Sequence, residues 1–200
     1  MAAWTGQTEC LELLLAQKAD VLKSDNEKWS PIFSASANNH LDCLDLLIRA
    51  KGDVTQVNNK LQTPLYIAAK SGWIGVCAKL VEKGCNVNAQ DVDGDSAMFV
   101  ASQEGHIEVM KLLVAEGADI LLANKNGLTA SKIASQSFQA EAVAYLKIVE
   151  AEEMERLRRE AESAKKELAE VKAKFEGAST GQQPKQQQAS RGVSGSAKLK

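Results

Sequence analysis

The sequence repeats itself every 33 residues. Ser30-Pro31-Ile32-Phe33-Ser34-Ala35 is answered by Thr63-Pro64-Leu65-Tyr66-Ile67-Ala68, then by Ser96-Ala97-Met98-Phe99-Val100-Ala101, and more weakly by Thr129-Ala130-Ser131-Lys132-Ile133-Ala134. A second marker keeps the same phase: Lys51-Gly52-Asp53-Val54, Gly84-Cys85-Asn86-Val87 and Gly117-Ala118-Asp119-Ile120. A period of this size is one supersecondary unit, too small to bury its own apolar face, so the copies have to stack. The chain is thereby confined to a solenoid in which each unit touches only its neighbours.

Each unit reads as two helices and a loop. Thr63 can cap a helix by accepting a hydrogen bond from an orphan backbone N–H, Pro64 suits the first helical position, and Ser30-Pro31 repeats the arrangement. Ala35, Ala68-Ala69 and Ala101 are small where neighbouring helices must approach closely. The second helix carries the apolar face: Leu44, Leu46 and Leu47; Val76, Leu80 and Val81; Val109, Leu112 and Leu113. Gly84 and Gly117 end it in the left-handed conformation that glycine adopts without steric cost. Aromatics make up 4% of the 200 residues, and Ala and Leu carry a 44% apolar chain, which favours close-packed helices over a sandwich of sheets.

These residues resemble the ankyrin repeat, whose pattern runs D-x-x-G-x-T-P-L-H-x-A-A, then G-H, a V-V-x-L-L-L run and G-A-D-V-N. Asp91 to Ile120 is similar to it in most detail, keeping Gly94, Gly105-His106 and Leu112-Leu113. The resemblance covers roughly residues 2–150. It implies an all-α ankyrin-repeat solenoid, helix-turn-helix units joined by β-hairpin-like loops, over 1–149. The copies are a partial one at 1–24 and full ones at 25–57, 58–90, 91–123 and 124–149. It also implies a function of gripping another protein rather than catalysis.

The departures from the pattern carry their own expectations. The His of T-P-L-H, which ties adjacent loops in the family, is replaced by Phe33, Tyr66, Phe99 and Lys132, so aromatic packing is expected to substitute. Lys51 takes the helix-ending Gly position with Gly52 one residue late, which predicts a shifted turn. Lys79 stands where a core Leu is expected. The fourth copy lacks Pro and places Ser131 at the Leu position, as in a frayed or capping unit. The first copy lacks most of its first helix. Either the chain starts inside a longer protein or a half-repeat serves as a natural cap.

From about Glu141 the composition changes. Residues 150–176 are rich in Glu, Lys, Arg and Ala without Gly or Pro, and read as one charged helix supported by Glu152–Arg156, Glu155–Arg159, Glu162–Lys166 and Glu170–Lys174. Met154, Leu157, Ala161, Ala164, Leu168, Val171 and Phe175 recur at the 3-4 spacing of a coiled-coil seam weakened by its alanines. A solvated helix, self-association through 150–176 and folding back onto the repeats all fit that pattern. Residues 177–200 hold Gly, Ser, a Gln run and Lys185, Arg191, Lys198 and Lys200 with no acid, and read as a disordered, solubilising tail.

A search for chemistry finds none to assign. The chain has no phosphate-binding glycine loop, G-x-S-x-G or H-E-x-x-H, so no catalytic residue and no cofactor are expected. Four cysteines (Cys10, Cys43, Cys77, Cys85) and two histidines have no zinc spacing, and Asp91, Asp93 and Asp95 lack the rest of a calcium loop, so no metal is expected. His40 and His106 read as structural caps. The formal net charge of −2 gives no attraction to nucleic acid, and no run is long and apolar enough for a membrane span. Unpaired core thiols suit the cytoplasm, with the nucleus as the alternative.

In ankyrin domains the loop tips and first-helix faces line a concave groove. Carried onto this chain, the partner-binding positions are Trp4, Asn26, Trp29, Asn38, Lys60, Gln62, Lys70, Asp93, Asp95, Gln103, Glu104 and Asn126. Trp4 and Trp29 stand out, because tryptophan often carries binding energy and neither occupies a core position. Trp73, after Gly72, reads as structural. The expected function is a scaffold or adaptor for a protein partner of unstated identity. The alternatives are a structural protein that oligomerises through its C-terminal helix and the targeting region of a longer multidomain protein.

Overall fold

A computed structural model describes the backbone of residues 1–179 and the side chains of residues 1–172. Among them the elements are α1 (Ala2–Thr5), α2 (Thr8–Ala16), α3 (Pro31–Ala37), α4 (Leu41–Arg49), α5 (Pro64–Lys70), α6 (Ile74–Glu82), α7 (Ala97–Glu104), α8 (Ile107–Ala115), α9 (Ala130–Gln136) and α10 (Ala140–Ser179). The described residues form no strand; the loops are hairpin-like only to the extent of one isolated antiparallel bridge, Gln90 to Ser96. Met1–Glu153 forms one compact unit and the described residues from Met154 belong to a second.

In the first unit the helices alternate between two rows. First helices stack on one another (α1, α3, α5, α7, α9), second helices do the same (α2, α4, α6, α8), and α1, α3, α5 and α7 each pack on the second helix that follows. The core between the rows repeats with the sequence: Leu47, Leu80 and Leu113 are fully buried at one phase, Leu44, Cys77 and Met110 at another, and Ala35, Ala68 and Ala101 where first helices meet. Lys79 does not face that core. Like Leu46 and Leu112 in the same phase it is half-buried, and it forms ion pairs with Asp45 at 3.3 Å and Glu82 at 3.4 Å.

Every positive φ among the described residues falls in one of three phases. Gly6, Asn39, Gly72, Gly105 and Phe138 turn the chain between the two helices. Lys18, Lys51, Gly84 and Gly117 end the second helix, and Lys28, Leu61, Gly94 and Gly127 sit at the loop tips. The expected shift of the turn at Lys51 does not occur. Lys51 itself takes φ 65°, and Gly52 N–H bonds the Leu47 carbonyl at 2.8 Å, just as Cys85 bonds Leu80 and Ala118 bonds Leu113. Stack register is stronger than the left-handed penalty of one lysine, ~1–2 kcal/mol.

The caps are less uniform than the sequence suggests. Thr63 Oγ1 accepts from Tyr66 N–H at 3.1 Å and Ser96 Oγ from Phe99 N–H at 3.2 Å. Ser30 holds the same position before Pro31, yet its hydroxyl makes no cap bond and is buried without a hydrogen-bond partner. The histidines precede second helices but do not cap them with their side chains. His40 Nε2 instead bonds the Trp4 carbonyl and His106 Nε2 the Lys70 carbonyl, both at 3.0 Å and both in the preceding copy. Trp73 does the same work, donating Nε1–H to the Ala37 carbonyl at 3.0 Å. Glycine is needed opposite the imidazoles, since a Cβ on Gly6 or Gly72 would lie 2.6 or 2.7 Å from the ring.

The fourth copy is a formed unit. Ala130, Ile133 and Ala134 of α9 are buried, as are Ala142 and Leu146 in the first turns of α10. The expected boundary at 149/150 falls inside α10, because nothing between Ala140 and Ser179 offers a helix stop until Gly177. Within the second unit Arg159 pairs with Glu155 at 3.2 Å, Arg158 with Glu162 at 3.4 Å and Arg156 with Glu160 at 3.7 Å. The expected tail keeps its first three residues in α10; residues 180–200 lie outside the described residues.

Candidate functional site

The loop tips are built by one device used four times. A side-chain oxygen of Asp25, Asn58, Asp91 or Asn124 accepts two backbone N–H groups, two and four residues on. The distances are 2.9 and 2.8 Å at Asp25, 2.9 and 3.0 Å at Asn58, 2.9 Å twice at Asp91, and 2.9 and 3.0 Å at Asn124. Asn and Asp suit this because their short side chains imitate a backbone carbonyl and fold the chain on itself. Two of the three aspartates that resemble a calcium loop are engaged: Asp91 holds its own loop, and Asp95 accepts from Asn124 Nδ2 at 2.8 Å. Burial raises the Asp95 pKa, Asn124 opposes that, and Asp91 and Asp93 add to it.

Neighbouring tips are tied by backbone bonds between successive copies. Asn59 N–H reaches the Glu27 carbonyl at 3.2 Å, Val92 N–H the Lys60 carbonyl at 2.9 Å and Lys125 N–H the Asp93 carbonyl at 3.0 Å. Beneath them Phe33, Tyr66 and Phe99 fill the positions of the missing histidines and are buried. Tyr66 also senses the next loop. Its pKa is raised by burial first and then by the carboxylates of Asp91 and Asp95.

The predicted contact residues divide in two on this frame. Asn26, Lys60, Lys70, Asp93, Glu104 and Asn126 are exposed, whereas Trp29, Asn38, Gln62, Asp95 and Gln103 are half-buried. Three of the latter brace the scaffold: Gln62 Oε1 accepts from Asn58 Nδ2 at 2.9 Å, Asn38 Nδ2 donates to the Ser34 carbonyl at 2.9 Å, and Asp95 holds Asn124. The exposed charges run from basic (Lys60, Lys70) to acidic (Asp93, Glu104) along successive copies.

The two tryptophans do something the sequence reading did not foresee: they touch. Trp4, 47% exposed, lies with its ring 6.3 Å from that of Trp29, and Trp29 lies 5.6 Å from buried Phe33. They border a cleft of about 540 Å³ whose apolar wall includes Leu11, Leu14, Leu15 and Val21. The signal was in the period. Trp4 is in phase with Ala37 and Lys70, Trp29 with Gln62 and Asp95, which puts one on a first-helix end and the other on the adjoining loop.

Two comparisons bear on this geometry. A family model described as ankyrin repeats, three copies, matches residues 1–91 and again 75–154. No curated protein matches the chain.

Proposed function

The chain belongs to the ankyrin-repeat family, and from that premise we propose that it is a scaffold or adaptor that holds a partner protein along its loop tips and first-helix ends. Ankyrin repeats are general protein–protein interaction modules. The observation that carries the finer reading is the Trp4–Trp29 pair, with Trp4 exposed and Trp29 half-buried, beside an apolar cleft at the start of the row of loop tips. Rigid aromatic side chains that are already packed lose little entropy on binding, and tryptophan is enriched among residues that dominate interfaces. The fitting partner has an apolar anchor for the tryptophans, acid to meet Lys60 and Lys70, and base to meet Asp93 and Glu104. Four unpaired thiols suit a reducing compartment, which extends the proposal to the cytoplasm or nucleus.

The test uses Trp4→Ala and Lys60→Glu as baits beside the wild-type chain, because both residues are exposed and neither side chain braces a loop. A partner that binds through this surface is retained by wild type and weakened at least tenfold by each variant, with thermal melting unchanged. If every captured protein binds all three baits equally, the assignment of this surface is wrong.

A further inference from the structure

The second unit holds a helix with an exposed apolar stripe along its described residues. Along the described part of α10, Met154, Ala161 and Leu168 fall at one seam position of a heptad and Leu157, Ala164 and Val171 at the other. Met154, Leu157, Leu168 and Val171 are 42–57% exposed, and both alanines are exposed as well. An exposed stripe of this period is what a coiled-coil partner covers, knob into hole.

The charges beside the stripe say which partner. The flank that precedes the first seam position is Glu153, Glu160 and Glu167, all acidic. The flank that follows the second is Arg158, Lys165 and Lys172, all basic. The outward face is sorted less fully: one position is acidic (Glu155, Glu162), one basic (Arg159, Lys166) and one mixed (Arg156, Glu170), and alanine or serine interrupts each. Pairing within one helix is served by mixed charges anywhere on its surface. An unbroken charge of one sign on each flank, kept through all three heptads, serves contacts between helices, where flank residues set partner choice and orientation.

We infer that residues 153–172 form a parallel, two-stranded coiled coil with a second copy of this chain. In a parallel pair each acidic flank residue meets the basic flank residue five places further along the other helix. Glu153 then faces Arg158, Glu160 faces Lys165 and Glu167 faces Lys172, each contact occurring twice by symmetry. An antiparallel pair would bring Glu160 against Glu and Lys165 against Lys, so the pattern opposes that arrangement as well as favouring the other. The existing pairs of Glu160 with Arg156 and Arg158 with Glu162 are highly exposed and yield little when exchanged. The alanines at the centre permit close helix approach and keep the seam modest, so association rises over the micromolar range.

The full chain is examined by sedimentation equilibrium from low micromolar to near-millimolar concentration. The expected result is a concentration-dependent rise from 21.5 kDa towards twice that mass. Glu160→Lys with Glu167→Lys, and separately Lys165→Glu with Lys172→Glu, each weaken association on the order of 100-fold by setting like charges face to face. An equimolar mixture of the two variants restores it. Glu and Lys are comparable helix formers, so the helical circular dichroism of each variant stays at the wild-type level. Orientation is read by oxidative cross-linking of Met154→Cys in a Cys10→Ser background, which yields a covalent dimer from that single variant. A wild-type chain that stays at monomer mass, a trimer, or cross-linking only between Met154→Cys and Val171→Cys chains overturns the inference.

Discussion

Leu14 and Leu80 occupy the same place in the period, yet one is 50% exposed and the other fully buried. Cys10 and Cys43 differ likewise: Cys10 is exposed and Cys43 is 1% exposed. The local sequences are alike, and both pairs lie on second helices of the same length. What differs is the first helix in front of them, seven residues in α3 and α5 but four in α1. Burial in this fold is therefore a property of neighbours, and identical residues acquire different weights according to what stands beside them.

Thiol chemistry gives the sharpest test of that contrast. Cys10 reacts with an aromatic disulfide at the rate of an exposed thiol, whereas Cys43, Cys77 and Cys85 react on the order of 1,000-fold more slowly, because each waits for a structural opening of several kcal/mol. Burial also pushes the Cys77 and Cys85 thiols up to about 12. The unfolded chain ionises first, near the ordinary 9.0, so stability is intact below about pH 9 and is lost as the pH rises towards 12. Tyr66, also raised, adds in the same direction above its ordinary pKa. Urea midpoints at pH 8 and pH 10.5 measure the decline, and equal midpoints would contradict it.

Truncation comes next in size. Leu80→Ala is expected to cost ~3–5 kcal/mol through lost burial and the cavity left behind, and Leu14→Ala under ~1 kcal/mol, by chemical denaturation of each variant. Similar costs would mean that the first copy is covered after all. The smallest effect concerns the turns. Lys51→Gly should raise stability by roughly 0.5 kcal/mol, relief of left-handed strain less the extra freedom of glycine in the unfolded chain. Gly84→Ala should lower it by about 1 kcal/mol, since a Cβ there meets no atom within 4 Å and only the strain remains. Two changes of the same sign would break the equivalence of these positions.

The period made most of the fold readable, and its exceptions show where sequence reasoning stops. Ala35, Ala68, Ala101 and the leucines at 44, 47, 80 and 113 fell where expected because neighbouring copies impose the same packing on one another. Lys51 misled because local preference argued for a shifted turn while two neighbouring copies fixed the register. Ser30 misled because a capping residue in the right place can still turn its hydroxyl elsewhere. At the proposed binding surface the phase located each residue but not its employment. Gln62 and Asp95 stand on the loops as foreseen, yet both are engaged in holding them. The contact between Trp4 and Trp29 joins separate copies, and no reading confined to one period could display it.

The backward ties have a consequence for how the molecule comes into being. His40, Trp73 and His106 each fasten a carbonyl 36 residues earlier, and the loop bonds of Asn59, Val92 and Lys125 also reach back one copy. During synthesis a unit emerging first therefore cannot finish itself. Its helix end stays unlatched until the next unit has left the ribosome and clasped it, so completion travels along the chain one copy behind growth.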